Sequence, residues 1–166
     1  LDQVRPLPLW EICEESDVAP QNQLLPVAGG TVTLGKGKDH ALYGWDNEFG
    51  RHQFHVDDFE ASKYLVSNRE FMAFVEAGGY RNETCWTKEG WRWPGFSEAE
   101  QPLFWIKSGS SYHLRTMARE IAMPWDWPVE VNYLEAKAFC NWKAEESGLP
   151  IRLPTEDEWY RLHDLH

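Results

Sequence analysis

The sequence predicts an α+β domain built as much from packed loops as from regular elements. Three observations predict it. Three helix starts carry a reciprocal cap, Ser67 with Glu70, Asn132 with Glu135 and Thr155 with Glu158. Two segments, Thr31 to Leu34 and Gln53 to Val56, have strand character. Finally, 10 Trp, 8 Phe and 6 Tyr are spread through 166 residues, many beside Pro or Gly, where large rings supply buried area to irregular backbone.

Residues 1–26 read as an interdomain linker, with Pro6, Pro8, Pro20 and Pro26 around one short helical stretch, Trp10 to Ser16. The domain then occupies 27–166. Gly29-Gly30 opens the first strand, and Lys36 to Gly50 is a polar, glycine-bearing loop. Gln53 to Val56 alternates polar and apolar residues and leads to Phe59, the pattern of a half-buried strand. The Ser67 cap starts a helix with Phe71, Phe74 and Val75 at helical spacing, and Gly78-Gly79 supplies its left-handed stop.

From Arg81 to Pro128 no regular element is evident, although Trp86, Trp91, Trp93, Trp105, Trp125 and Trp127 lie there. The second helix begins after Asn132, sets Tyr133, Ala136, Phe139, Cys140 and Ala144 on one side, and stops at Gly148. Ile151 to Leu153 is expected as a short strand. A third helix follows Thr155, with Trp159 and Leu162 opening an apolar face. The sequence stops at His166 with that face barely begun, so the domain is expected to be incomplete at its C-terminus.

The net charge of -11 repels phosphate backbones and anionic lipid headgroups, which argues against nucleic-acid and membrane-surface roles. No apolar run has membrane-spanning length, and the N-terminus lacks the order of a signal peptide. Cys13, Cys85 and Cys140 form no CxxC pair, and their odd count favours a reducing compartment; Cys140 reads as a small buried hydrophobe.

Metal chemistry has weak candidates. His52 and His55 lie three apart on a strand and so face opposite sides of it. His163 and His166 share a helix face but have no third ligand in sequence range. No nucleophile elbow is present, and Gly35-Lys36-Gly37-Lys38 does not match a phosphate loop. Glu156, Asp157 and Glu158 complement the positive end of their own helix. The residues alone give an acidic, Trp-rich α+β domain without a self-sufficient active site.

A set of ordered motifs goes further. Gly29-Gly30-Thr31-Val32-Thr33-Leu34-Gly35, then Gly44-Trp45-Asp46-Asn47-Glu48, then Val66-Ser67-Asn68-Arg69-Glu70-Phe71, then Ile151-Arg152-Leu153-Pro154-Thr155-Glu156-Asp157-Glu158-Trp159 resemble the formylglycine-generating-enzyme (sulfatase-modifying-factor) family. Within it, Tyr43 to Gly50, Trp86 to Trp93 and Met123-Pro124-Trp125-Asp126-Trp127-Pro128 are similar to the ovothiol synthase branch, the 5-histidylcysteine sulfoxide synthases. Cys85 stands where that likeness leads one to expect a tyrosine.

The resemblance implies a C-type-lectin-like fold and a cytoplasmic, O2-dependent parent enzyme that couples cysteine to the imidazole of histidine. It implies Fe(II) held by a His-x-x-x-His-x-Glu motif and a further histidine in a DinB-like helical bundle of the same parent chain. That motif is absent from this sequence, and the family's catalytic tyrosine lies beyond the Leu153-Pro154-Thr155 signature. No catalytic residue, no metal ligand and no bound cofactor is therefore expected here, and this piece alone is expected to be inactive. Trp45, Asp46, Asn47, Glu48, Trp125, Asp126 and Trp127 are the candidates for the substrate-pocket wall or domain junction. Their alternative role, as loop anchors, is the stronger one on residue type. Two other functions share the fold: a copper-dependent formylglycine-generating oxidase acting on sulfatases, whose cysteine pair would follow His166, and a non-catalytic lectin-like binding module.

Overall fold

A computed structural model of the chain describes residues 19–165. The expected Trp10 to Ser16 helix, Cys13 and His166 lie outside them. The chain divides into two compact units, one holding residues 64–153 with the segment before Gln23, the other residues 23–63 and 154–166.

In the first unit, α1 (Asn68–Glu76) and α3 (Tyr133–Ser147) begin with the reciprocal caps the sequence specifies. Gly78 (φ 77) and Gly148 (φ 68) then take the left-handed conformation that ends each helix, where a Cβ would be strained. Phe71, Met72 and Phe74 of α1 meet Ala138, Phe139 and Cys140 of α3 in one core with Tyr80, Cys85, Trp86 and Trp105. Phe71 stacks on Phe139 at 5.3 Å, and Phe74 meets it edge-on at 6.1 Å, the arrangements ring quadrupoles favour. Burying each such ring contributes roughly 1.5–3 kcal/mol.

The irregular middle is more ordered than the sequence suggests. After the short helix α2 (Arg92–Ser97), β5 (Trp105–Ser108), β6 (Ser111–Arg115) and β7 (Glu120–Ala122) form an antiparallel meander in that order. Gly109-Ser110 is its two-residue hairpin loop, with Gly109 at φ 62. Glycine at the first loop position is what a strand-matched tight turn requires, and it is the local signal the sequence reading passed over.

The face of α3 also differs from expectation. Its innermost residues are Glu135, Ala138, Phe139 and Cys140, whereas Tyr133 is 67% exposed. The core-facing arc is displaced because Glu135 turns inward to a buried partner. Ile151 to Leu153, expected as a strand, pairs with no strand among the described residues, with Pro150 and Pro154 on either side.

In the second unit, β1 (Leu24–Val27) pairs antiparallel with β4 (Phe59–Ser62), and β2 (Gly30–Leu34) with β3 (His52–Val56). Leu24 to Pro26, read as the end of the linker, thus belong to a strand. Only Val56 of β3 is buried, so this strand is less covered than its alternation suggests. Helix α4 (Glu156–Asp164) starts with the expected Thr155 and Glu158 cap. Arg161 donates from Nε to the carbonyl of Ala28 (2.8 Å) and from Nη2 to that of Gly29 (3.0 Å). Gly30 leaves room for this clamp, since a Cβ there would lie 2.9 Å from the guanidinium carbon. Trp159 is 54% exposed instead of opening an apolar face; Glu158 is the buried residue of the helix.

Candidate functional site

The expected site residues fall into two groups, one in each unit. Trp125, Asp126 and Trp127 belong to the first unit and sit against the N-terminus of α1. A helix leaves its first four N–H groups without internal partners. Here all four are satisfied. Ser67 N donates to Glu70 Oε2 (3.1 Å) and Glu70 N to Ser67 Oγ (3.2 Å). Asn68 N donates to the Trp127 carbonyl (2.8 Å) and Arg69 N to that of Trp125 (3.0 Å). The Asn68 side chain adds a buried bond from Nδ2 to the Pro124 carbonyl (2.8 Å).

The Trp125 ring packs edge-on to Trp105 and Tyr112 and lies under the Arg69 guanidinium at 4.1 Å. Asp126 Oδ1, Asn68 Oδ1 and Trp105 Nε1 are buried without a hydrogen-bond partner among the described residues. The Trp-Asp-Trp motif thus lends its backbone to a helix cap and its first ring to the core.

Trp45, Asp46, Asn47 and Glu48 belong to the second unit and form the end of the long loop, with Asp46–Glu48 in a single 3-10 turn. Lys36 organises this loop. Its backbone N–H donates to the Glu48 carbonyl (3.1 Å), and its Nζ donates to the Tyr43 carbonyl (2.6 Å) while lying 3.8 Å from Glu48 Oε2. Gly35 (φ 86) closes the base, where a Cβ would strike the Gly50 carbonyl oxygen at 2.2 Å. On this frame Tyr43 and Trp45 meet edge-on at 5.7 Å, and both remain mostly exposed, 78% and 65%.

Buried ionisable groups with shifted proton affinity lie in the first unit. The Tyr80 hydroxyl donates to Glu135 Oε1 in a short, buried bond, while Glu135 Oε2 accepts from Asn132 N at 2.9 Å. Burial pushes the Glu135 carboxyl above its ordinary range, against the opposing pull of these bonds. Burial, reinforced by the Glu135 charge, pushes the Tyr80 phenol far above its ordinary value. The buried thiols of Cys85 and Cys140 are likewise raised by burial, the opposite of a reactive thiolate.

Tyr80 also borders two surface clefts of about 480 Å³ each, on either side of an Arg81–Glu100 ion pair at 2.6 Å. Sequence reading missed this place. Arg81 and Glu100 are 19 residues apart and carry no motif, so only the folded backbone reveals their meeting.

The described residues do not fit a mononuclear iron. No three His, Cys, Asp or Glu side chains among them come together as a metal site. His52 shares its strand face with Phe54, packing on that ring at 4.1 Å, while His55 points to the other face beside Asp57. His163 stacks on Trp159 at 5.6 Å.

A sequence profile of the sulfatase-modifying factor enzyme 1-like domain matches residues 11–161. The chain is 35% identical over 119 residues to hercynine oxygenase of Mycolicibacterium thermoresistibile, covering 70% of this chain and 24% of that protein. It is 34% identical over 116 residues to the hercynine oxygenase of Mycobacterium tuberculosis, covering 69% and 25%. To the formylglycine-generating enzyme of Bos taurus it is 27% identical over 154 residues, covering 85% and 39%. The chain thus spans about a quarter of the length of the hercynine oxygenases it matches. The ordered motifs, the small sheets joined by long loops, and a match over nearly the whole chain agree, and the chain belongs to the sulfatase-modifying factor enzyme 1-like (FGE-sulfatase) domain family.

Proposed function

We propose that this chain is the sulfatase-modifying-factor-like part of an oxygen-using enzyme, and specifically of a non-haem iron sulfoxide synthase joining cysteine sulfur to the imidazole of histidine. The observation that carries the proposal is the ordering of the relatives. Identity reaches 34–35% with proteins named hercynine oxygenase and 27% with formylglycine-generating enzymes. The likeness of Met123 to Pro128 to the ovothiol synthase branch supports the finer reading.

The stoichiometry is balanced for such a coupling. A thiol, an imidazole C–H and one O2 give a carbon–sulfur bond, one sulfoxide oxygen and one water. In this reading Fe(II) supplies oxygen activation and is held by residues outside those described, in a DinB-like helical bundle of the same cytoplasmic parent chain. The present residues would shape the wall of the reaction chamber in a C-type-lectin-like fold, with the Lys36-braced Trp45 loop as its exposed edge.

The test uses the full-length parent protein with ferrous iron, O2 and three substrate sets. Cysteine with histidine should give a coupled sulfoxide detectable by mass spectrometry. Turnover of hercynine in place of histidine would keep the oxygenase reading and overturn the histidine assignment. Oxidation of a cysteine in a sulfatase-derived peptide, with no coupled product, would overturn the sulfoxide synthase reading in favour of the formylglycine-generating one.

A further inference from the structure

Three buried atoms around the N-terminus of α1 lack a hydrogen-bond partner among the described residues: Asn68 Oδ1, Asp126 Oδ1 and Trp105 Nε1. Asn68 and Trp105 are almost fully enclosed, at 1% and 4% exposure. A buried polar group left unpaired is costly, so folded proteins keep few of them without a reason. The three are neighbours through one turn of the first unit. Asn68 is tied to both ends of the turn that carries Asp126. Its Nδ2 donates to the Pro124 carbonyl and its backbone N–H to the Trp127 carbonyl, each at 2.8 Å. Trp127 N closes the turn on that same Pro124 carbonyl at 3.1 Å. The Trp105 ring lies beside it, edge-on to Trp125 with centroids 6.2 Å apart. A fourth atom of this kind, His113 Nδ1, belongs elsewhere. Leu114 is the register partner of Trp105, so His113 faces the opposite side of the sheet.

These atoms cannot satisfy one another. Amide and carboxylate oxygens only accept, and an indole N–H only donates. One direct bond from Trp105 would leave the second oxygen without a donor. Turning the Asn68 amide over would set its oxygen against the Pro124 carbonyl and lose the bond made there. A cation suits the two oxygens but is repelled by the positive end of the indole N–H; an anion suits the indole alone. A water molecule matches the whole set. It donates once to each oxygen and accepts from the indole, and three bonds is the usual complement of an enclosed water.

We propose that Asn68, Asp126 and Trp105 hold one structural water, which links the first turn of α1, the Trp125–Trp127 turn and β5. Within the Trp-Asp-Trp motif, Trp125 and Trp127 then cap α1 through their carbonyls, and Asp126 holds the water through its side chain. The site lies within the first unit and does not rest on the sulfoxide synthase reading.

A crystal structure of the full-length protein, at a resolution that shows ordered solvent, tests this directly. One water oxygen within about 2.7–3.2 Å of all three atoms is the expected result. In solution, the Trp105 indole N–H of the isotope-labelled full-length protein should show a dipolar NMR cross peak to a long-lived water, assigned by its loss in Trp105→Phe. Asp126→Ala removes one of the two acceptors and should weaken that cross peak. The crystal needs no variant, so it decides the matter if a substituted protein fails to fold. No solvent density at the site, a direct bond from Trp105 Nε1 to either oxygen, a metal ion held by the two oxygens, or an unchanged cross peak in Asp126→Ala would overturn the proposal.

Discussion

Two tryptophan-bearing motifs look alike in the sequence, and the fold treats them in opposite ways. Trp125-Asp126-Trp127 supplies two carbonyls to the first amides of α1 and places a ring between Arg69 and Trp105. Trp45-Asp46-Asn47-Glu48 also sits on an ordered loop, but its order comes from Lys36 and two glycines, and its ring is left 65% exposed. Removing the first should disturb the fold, whereas removing the second should disturb only what touches it. A short motif containing tryptophan therefore does not say whether the ring is structure or contact surface. The hydrogen bonds of its backbone do.

The largest effect should come from Trp125→Ala. Losing its core packing and the Arg69 contact is expected to destabilise the protein by about 3 kcal/mol in denaturant unfolding, the lower part of the range for large aromatic truncations because the ring is only partly buried. Asn68→Ala should follow. It leaves the Pro124 carbonyl without its buried donor, at a cost of about 1–2 kcal/mol.

The pH dependence sharpens the contrast, because the buried titratable pair lies in the first unit. Glu135 has a raised native pKa, so the native state binds its proton more tightly than the unfolded chain does. Relative to Glu135→Gln, wild-type stability should increase as pH falls from the raised value towards the ordinary 4.5, and the gain should then level off. Tyr80 is raised too, and its share of stability should be lost as pH climbs above its ordinary value of 10.0. Urea melts of the two proteins across pH check both signs.

In the loop, Lys36→Met should cost no more than about 1 kcal/mol in global stability, since its interactions are local and partly solvated. Its effect should instead appear as faster hydrogen exchange at Gly50, whose N–H is bonded to the Lys36 carbonyl. Trp45→Ala should be smallest of all, within about 0.5 kcal/mol of wild type.

Much of the fold was legible because helix starts are written locally. Ser67, Asn132 and Thr155 each cap the helix their spacing announces, and Gly78 and Gly148 end two of them. The β5–β6–β7 sheet was not, because Trp105 to Arg115 shows weak alternation and its decisive Gly109 looks like any loop glycine. The inward turn of Glu135 was hidden as well, since the capping box is satisfied by local bonds alone and the second partner, Tyr80, is 55 residues away. For the same reason the Arg81–Glu100 clefts left no trace in the sequence. Trp45 to Glu48 and Trp125 to Trp127 lie on loops and turns, and the separation of anchor from exposed ring depended on long-range bonds such as Asn68 to Pro124.

The most direct measurement is a paired denaturant titration of Trp125→Ala and Trp45→Ala in the same protein. A loss of about 3 kcal/mol for the first beside less than about 0.5 kcal/mol for the second is the predicted result. Equal losses, or a larger one at Trp45, would contradict the division between a motif built into the helix cap and one displayed on a braced loop.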